Sequence, residues 1–219
     1  LGPIVGFNVI TAFGGHGLPH WTIPGYLFLL PLLGAAVAER MERGERWPRY
    51  WLHGSVVAFL LLFAVATTHA VTGWISEISP RLLARYDPTD DVLEWTELPD
   101  RLREWGQPTP GVVLAGGRWG DAARVARVLG PETTVTSVGE DPRGWEYVLS
   151  QRELVGSDVL LVVNRRWVDQ EPLLTYAPWF ERVEPVGSFR VWRAGRPEFT
   201  VSVYLGRGLR RPIPFRRSL

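Results

Sequence analysis

Apolar residues crowd the first third of this 219-residue chain, then thin into a regular alternation with polar ones. Residues 1–13 are apolar apart from Asn8 and Thr11. That is short of the roughly 20 residues needed to cross a bilayer core, and the stretch reads as the closing turns of a transmembrane helix. Residues 14–22, dense in Gly and Pro, form a loop. Residues 23–38 carry almost nothing polar and predict a second, short helix. Pro31 near its middle predicts a kink, because proline removes a backbone donor. Residues 39–50 are a charged loop, and residues 51–75 predict the clearest spanning helix.

Beyond residue 75 the pattern is that of a water-soluble domain. The periodicity predicts helices over residues 97–105, 121–129 and 142–151, with residues 173–180 also helical. Strands are predicted over residues 111–115, 133–138 and 158–163. Two further strands, 189–193 and 199–205, pair across Ala194-Gly195-Arg196-Pro197. The alternation implies a small α/β domain with a mostly parallel sheet and a C-terminal hairpin. The predicted organisation is a transmembrane region over 1–75, an α/β domain over 76–206, and an Arg/Pro-rich tail over 207–219, extended or disordered.

Charge sets the topology. Arg40, Arg43, Arg46 and Arg49 stand among Glu39, Glu42 and Glu45 in one short loop, and an Arg-rich short loop belongs in the cytoplasm. The 14–22 loop and everything after residue 75 then lie on the outer side of the membrane, in one compartment. Trp47, Tyr50 and Trp51 at one end of the long helix, and Trp74 at the other, fit interfacial anchors.

Composition removes several function classes. A formal charge of +1 gives no strongly basic face for nucleic acid. All 24 basic residues are Arg, so no lysine Schiff base or lysine general base is present. The absence of Cys removes thiolate chemistry and disulfides. The four His fall before residue 75 and no G-x-S-x-G elbow occurs, so a Ser-His-Asp hydrolase is not legible. The chain opens on Leu1, its only Met is Met41, and no signal-peptide pattern precedes the first apolar run; it reads as the C-terminal piece of something longer.

The candidate chemistry lies mostly at the membrane. His20-Trp21 offers a hydrogen-bonding imidazole and an aromatic shelf at headgroup depth, and Tyr26 adds a hydroxyl; the bland alternative is an interfacial belt with a solvated His20. His16 lies four residues before His20, but Gly14, Gly15, Gly17 and Pro19 deny it a helical metal-binding face, so no metal site is expected. His69, with Thr67, Thr68 and Thr72, falls late in the long helix, and an ionisable residue there either faces a cavity or serves helix packing. Asp87, Asp90 and Asp91 fit no EF-hand loop and read as capping and solvated residues. Gly116-Gly117 lacks a full nucleotide-loop pattern and reads as a turn. Arg165-Arg166-Trp167, after an apolar strand, offers contacts to headgroups or an acidic acceptor, with a solvated loop as the default reading.

Two segments carry a resemblance to a known family. Pro19-His20-Trp21-Thr22-Ile23-Pro24-Gly25-Tyr26 resembles the Pro-(His/Asn)-Trp-Pro-x-x-x-Tyr signature of bacterial glycosyltransferase family 39. Asp87-Pro88-Thr89-Asp90-Asp91-Val92-Leu93-Glu94-Trp95 is similar to the Asp-Leu-x-Gly-Trp segment that opens that family's outer domain, with Glu94 where Gly is commoner. The family has a GT-C-type membrane fold and includes relatives of protein O-mannosyltransferases and of the lipid A aminoarabinose transferase. The resemblance, to the family's C-terminal third, implies a multi-pass enzyme of the bacterial inner membrane with an extracytoplasmic C-terminal domain. Its donor would be a polyprenyl-phosphate-linked sugar, its partners the lipid carrier and further N-terminal helices, and no cofactor is implied. The family's catalytic carboxylates lie in an early outer loop that no residue here matches, so this stretch alone is expected to be inactive. His16, His20, Trp21, Tyr26 and His69 remain candidates for the lipid-phosphate cavity. The competing expectation is a non-enzymatic, membrane-anchored module that binds glycan or protein.

Overall fold

The structure, a computed structural model, describes residues 27, 29–79, 87–164 and 172–214. The chain divides into two compact units, with the boundary between Thr67 and Thr68. Residues 1–26 and 165–171, and with them His16, His20, Trp21, Tyr26 and Arg165-Arg166-Trp167, lie outside the described residues, as do residues 80–86 and 215–219.

In the first unit, α1 (Leu30–Glu42) carries Pro31 in its first turn rather than at its middle. The expected mid-helix kink is therefore absent from α1, because a proline at the first helical positions forfeits no intrahelical bond. The helix also runs on through Arg40 into the predicted charged loop. There Arg40 pairs with Glu45 at 3.3 Å and lies over the Trp47 ring at 5.4 Å, while Trp47 Nε1 donates to Glu45 at 2.7 Å. Next comes α2 (Trp47–Thr72), which starts four residues earlier than the apolar pattern suggested. Pro48 at its second position fits the start of a helix. Its 26 residues span about 39 Å at 1.5 Å per residue, more than the roughly 30 Å hydrocarbon core. Among the described residues it is the one helix long and apolar enough to cross a membrane. Phe59, Leu60, Leu61, Leu62 and Phe63 occupy consecutive positions and are all exposed, so the helix is apolar on every side, as lipid or other apolar helices require.

Gly73 ends α2 with φ +73°, the left-handed conformation that glycine adopts most cheaply, and its N–H closes on the His69 carbonyl at 2.7 Å. A five-residue helix, α3 (Trp74–Ile78), follows.

The second unit continues with a 3-10 turn (Pro88–Val92), α4 (Leu98–Glu104), β1 (Val113–Gly116), α5 (Trp119–Leu129) and β2 (Val135–Ser137). A second 3-10 turn (Arg143–Tyr147), β3 (Val159–Asn164), α6 (Pro172–Tyr176), β4 (Phe180–Arg193) and β5 (Arg196–Leu209) complete it. The sheet order is β2-β1-β3-β5-β4. β1 pairs in parallel with β2 and β3, and β5 runs antiparallel to β3 and β4. The sheet is thus mixed, three parallel strands and a long hairpin, rather than mostly parallel.

Every side chain of β3, from Val159 to Asn164, is buried, which is why its sequence is a continuous apolar run: both faces are covered. Leu160 and Val162 pack with Leu98, Leu102, Ala122 and Val125 beneath α4 and α5. Val159, Leu161 and Val163 pack on the opposite face with Leu154, Tyr176, Phe180 and Ile213. The tail expected over 207–219 as extended or disordered begins as strand, since β5 runs to Leu209. It is pinned at Ile213, which is 5% exposed and whose N–H donates to Gln151 Oε1 at 3.2 Å, while residues 210, 211 and 214 are exposed. The predicted helix over 142–151 is reduced to the 3-10 turn, with Gly144 at its second position.

Candidate functional site

Two clusters of polar chemistry stand out in the second unit. The first is built around His69, on the last turn of α2. Strand alternation in β4 turns Phe189, Val191 and Arg193 to the buried side, so a guanidinium enters an apolar face and must find anions there. It does. Arg193 donates to Asp87 Oδ2 at 3.2 Å and to Thr89 Oγ1 at 3.0 Å, pairs closely with Asp90, and lies 3.3 Å from Glu198. His69 Nε2 meets the same Asp87 oxygen at 2.9 Å, and His69 Nδ1 accepts the Ile75 N–H at 3.2 Å. Because Nδ1 accepts, Nε2 carries the hydrogen donated to Asp87.

The side chains of His69, Asp87 and Arg193 are each under 5% exposed. Burial alone raises the pKa of Asp87, but the Thr89 hydroxyl and N–H, Arg193 and His69 outweigh it and hold the group at about 2. Asp87 also caps the Pro88–Val92 turn through Thr89 N–H at 2.9 Å. Capping was legible in the sequence; solvation was not, since Asp87 and Asp90 are buried. His69 has both ring nitrogens engaged by protein, an arrangement that positions a chain segment rather than presenting an acid or base to a substrate. The threonines nearby are likewise engaged: Thr72 Oγ1 donates to the Thr68 carbonyl at 2.7 Å, and Trp74 Nε1 donates to Thr68 Oγ1 at 3.2 Å. Trp74, expected as an interfacial anchor, is half-buried with its ring edge-on to His69.

The second cluster is a cavity of about 420 Å³ at the start of α5, walled by Arg118, Trp119, Asp121, Arg124, Arg127 and Arg143. Gly116 makes it possible. A Cβ there would fall 2.1 Å from Ala122 N, so only glycine lets α5 begin directly against β1. Asp121 is 2% exposed, and its Oδ2 accepts the Asn164 N–H at 3.4 Å. Burial pushes its pKa up to about 7, against the opposing pull of Asn164, Arg124 and Arg118. A buried carboxyl that titrates near neutrality in a cleft is a common mark of functional sites.

Sequence reasoning did not single out Arg193 or Asp121. Arg193 carried a signal, since Phe189, Val191 and Arg193 alternate on one strand face. Asp121 carried little, because its burial follows from the close approach at Gly116. Among the described residues no group of three or more His, Asp or Glu is arranged to hold a metal ion. Comparison with protein-family models, curated proteins and solved structures finds no match to this chain.

Proposed function

We propose that this chain is the C-terminal part of an integral-membrane glycosyltransferase. The enzyme moves a sugar from a polyprenyl-phosphate-linked donor to an acceptor outside the cytoplasm. The carrying observation is α2: a 26-residue apolar helix, exposed on every side, whose last turn enters the α/β unit through the buried His69–Asp87–Arg193 network. Exposed apolar helix of this length is stable only in lipid or against other membrane helices. The family-like segment at residues 19–26 supplies the candidate chemistry. The lipid phosphate is itself the leaving group, so the outer face needs no nucleotide. A carboxylate elsewhere in the enzyme acts as base on the acceptor, and phosphate contacts stabilise the departing charge. His20, Trp21, Tyr26 and His16 are the candidates for those contacts, and His69 has the role of holding the start of the outer domain.

The test is transfer of radiolabel from lipid-linked sugars by the full-length protein in membranes. Label appearing in an acceptor supports the reading, and none across a panel of donors rejects it. In active protein, His20→Ala and Trp21→Ala each lower turnover without altering membrane insertion; unchanged turnover in both removes the pair from the site. A second reading, a membrane-anchored binding module, draws support from the arginine-lined cavity, which the α/β unit builds from its own residues.

A further inference from the structure

The arginine-lined cavity suits a ligand, and its chemistry indicates which kind. The strand order places β2 and β3 on opposite sides of β1. β1 thus delivers its carboxyl end, and the helix that follows it, to the middle of the parallel part of the sheet. The cavity sits at the first turn of α5, the helix that follows β1, and its volume is within the range of small-molecule sites.

Its polar groups are mostly cationic. Arg124 is the deepest, 15% exposed, and gives its Nη2 to the Asp91 carbonyl and carboxylate, each at 2.8 Å. Its Nε is buried with no hydrogen-bond partner among the described residues. Arg143 stacks over the Trp119 ring at 4.3 Å and commits its Nε to Asp141 at 3.1 Å. Arg127 gives its Nη2 to Glu94 at 2.6 Å. Arg127 and Arg143 each use one nitrogen on a carboxylate, and Arg124 adds to its Asp91 contact a longer 3.9 Å approach of Nη1 to Asp121, while a guanidinium carries five donors. The carboxylates thus hold the arginines in place without exhausting them. Against four arginines the walls set two carboxylates, Asp91 and the buried Asp121, which leaves a cationic excess. Arg118, the N-cap of α5, has extended backbone and makes no side-chain cap, so the uncapped first-turn N–H groups add to the attraction for an anion. Forked guanidinium donors converging on one small space match the oxygens of a phosphate better than a neutral sugar.

We infer that this cavity binds the phosphate of a phosphomonoester, held by Arg124 and Arg143 with the Trp119 ring as the flanking wall. The phosphate belongs to a soluble metabolite or to a lipid headgroup, and the inference rests on neither reading of the protein's function. The test is calorimetric titration of the full chain in phosphatidylcholine nanodiscs with glycerol 3-phosphate, beside nanodiscs doped with phosphatidic acid, binding to the latter read by salt-sensitive protection of Arg124 and Arg143 peptides from hydrogen exchange. Wild type gives saturable binding in one arm. Arg124→Gln and Arg143→Gln each weaken it roughly tenfold, the loss of a good charged contact, while Arg152→Gln, an exposed arginine away from the cavity, leaves it unchanged. Arg143 lies in an exposed turn, so Arg143→Lys keeps the fold and the charge and still loses most of the affinity. Binding confined to glycerol 3-phosphate assigns a soluble ligand, and binding confined to phosphatidic acid assigns a headgroup. Absence of binding in both arms, or binding indifferent to Arg124→Gln and Arg143→Lys alike, overturns the inference.

Discussion

Asp121 makes a quantitative demand on the α/β unit. Its carboxyl is buried under α5, with one backbone N–H at 3.4 Å and the Arg124 guanidinium at 3.9 Å as the nearby favourable groups. Its pKa rises from 3.8 to about 7. The folded protein therefore binds a proton that the unfolded chain releases between those values. Stability from this group is fully present below pH 3.8 and is lost as pH rises towards 7. At 1.36 kcal/mol per pH unit, the loss approaches about 4 kcal/mol, a large part of the 5–15 kcal/mol typical of a domain. Asp121→Asn keeps the shape and an oxygen for the Asn164 N–H but cannot ionise. Urea unfolding of the detergent-solubilised full chain, followed by near-UV circular dichroism of the buried tryptophans, reads the difference. The wild-type midpoint falls between pH 4.5 and 7.5, and the variant's midpoint falls much less, ending above wild type at alkaline pH. Parallel pH profiles for the two proteins would refute the placement of this carboxyl in a desolvated wall.

Three further outcomes follow from the same geometry. Arg193→Met leaves Asp87 and Asp90 buried without their cation and costs about 3–5 kcal/mol, read as a lowered urea midpoint; Arg193→Lys recovers little, because one ammonium cannot serve Asp87, Asp90 and Thr89 together. Asp87 runs opposite in sign to Asp121: held at about 2 against 3.8 unfolded, it contributes about 2 kcal/mol above pH 4 that is lost as pH falls through 2, and Asp87→Asn flattens that acid limb in the same unfolding assay. Gly116→Ala drives a methyl into the Ala122 backbone N at 2.1 Å and lowers the thermal midpoint well beyond a surface Gly→Ala change such as Gly144→Ala, which meets open space.

The sequence announced its elements where hydrophobic periodicity was uninterrupted. β3 was plain because six consecutive buried residues follow one another, and α5 was plain because Ala122 and Val125 face the sheet while Arg124 and Arg127 do not. The hairpin was under-read. β4 runs 14 residues, but a register shift between Pro185 and Gly187 breaks its two-residue alternation, leaving only residues 189–193 recognisable. The end of α2 moved from residue 75 to Thr72 because Gly73 adopts φ +73°, a backbone choice that apolar neighbours conceal. The ion network was hidden for another reason: His69, Asp87 and Arg193 meet across separations of 18, 106 and 124 residues, and no local pattern records a contact at that separation. The cavity was invisible for the same cause, since Asp91, Arg124 and Arg143 meet only after β1, β2 and β3 assemble.

The proposed function requires α2 to cross a membrane with its two ends in different compartments. The chain contains no cysteine, so single reporters can be introduced without background. Tyr147→Cys, at a position 94% exposed on the α/β unit, His16→Cys in the glycine-rich segment, and Arg46→Cys before α2 are each probed with a membrane-impermeant maleimide on intact spheroplasts. The cysteines at positions 147 and 16 are expected to be labelled from outside, and the one at position 46 only after lysis. Labelling of positions 16 and 147 from opposite sides, or of 46 and 147 from the same side, contradicts the proposed function.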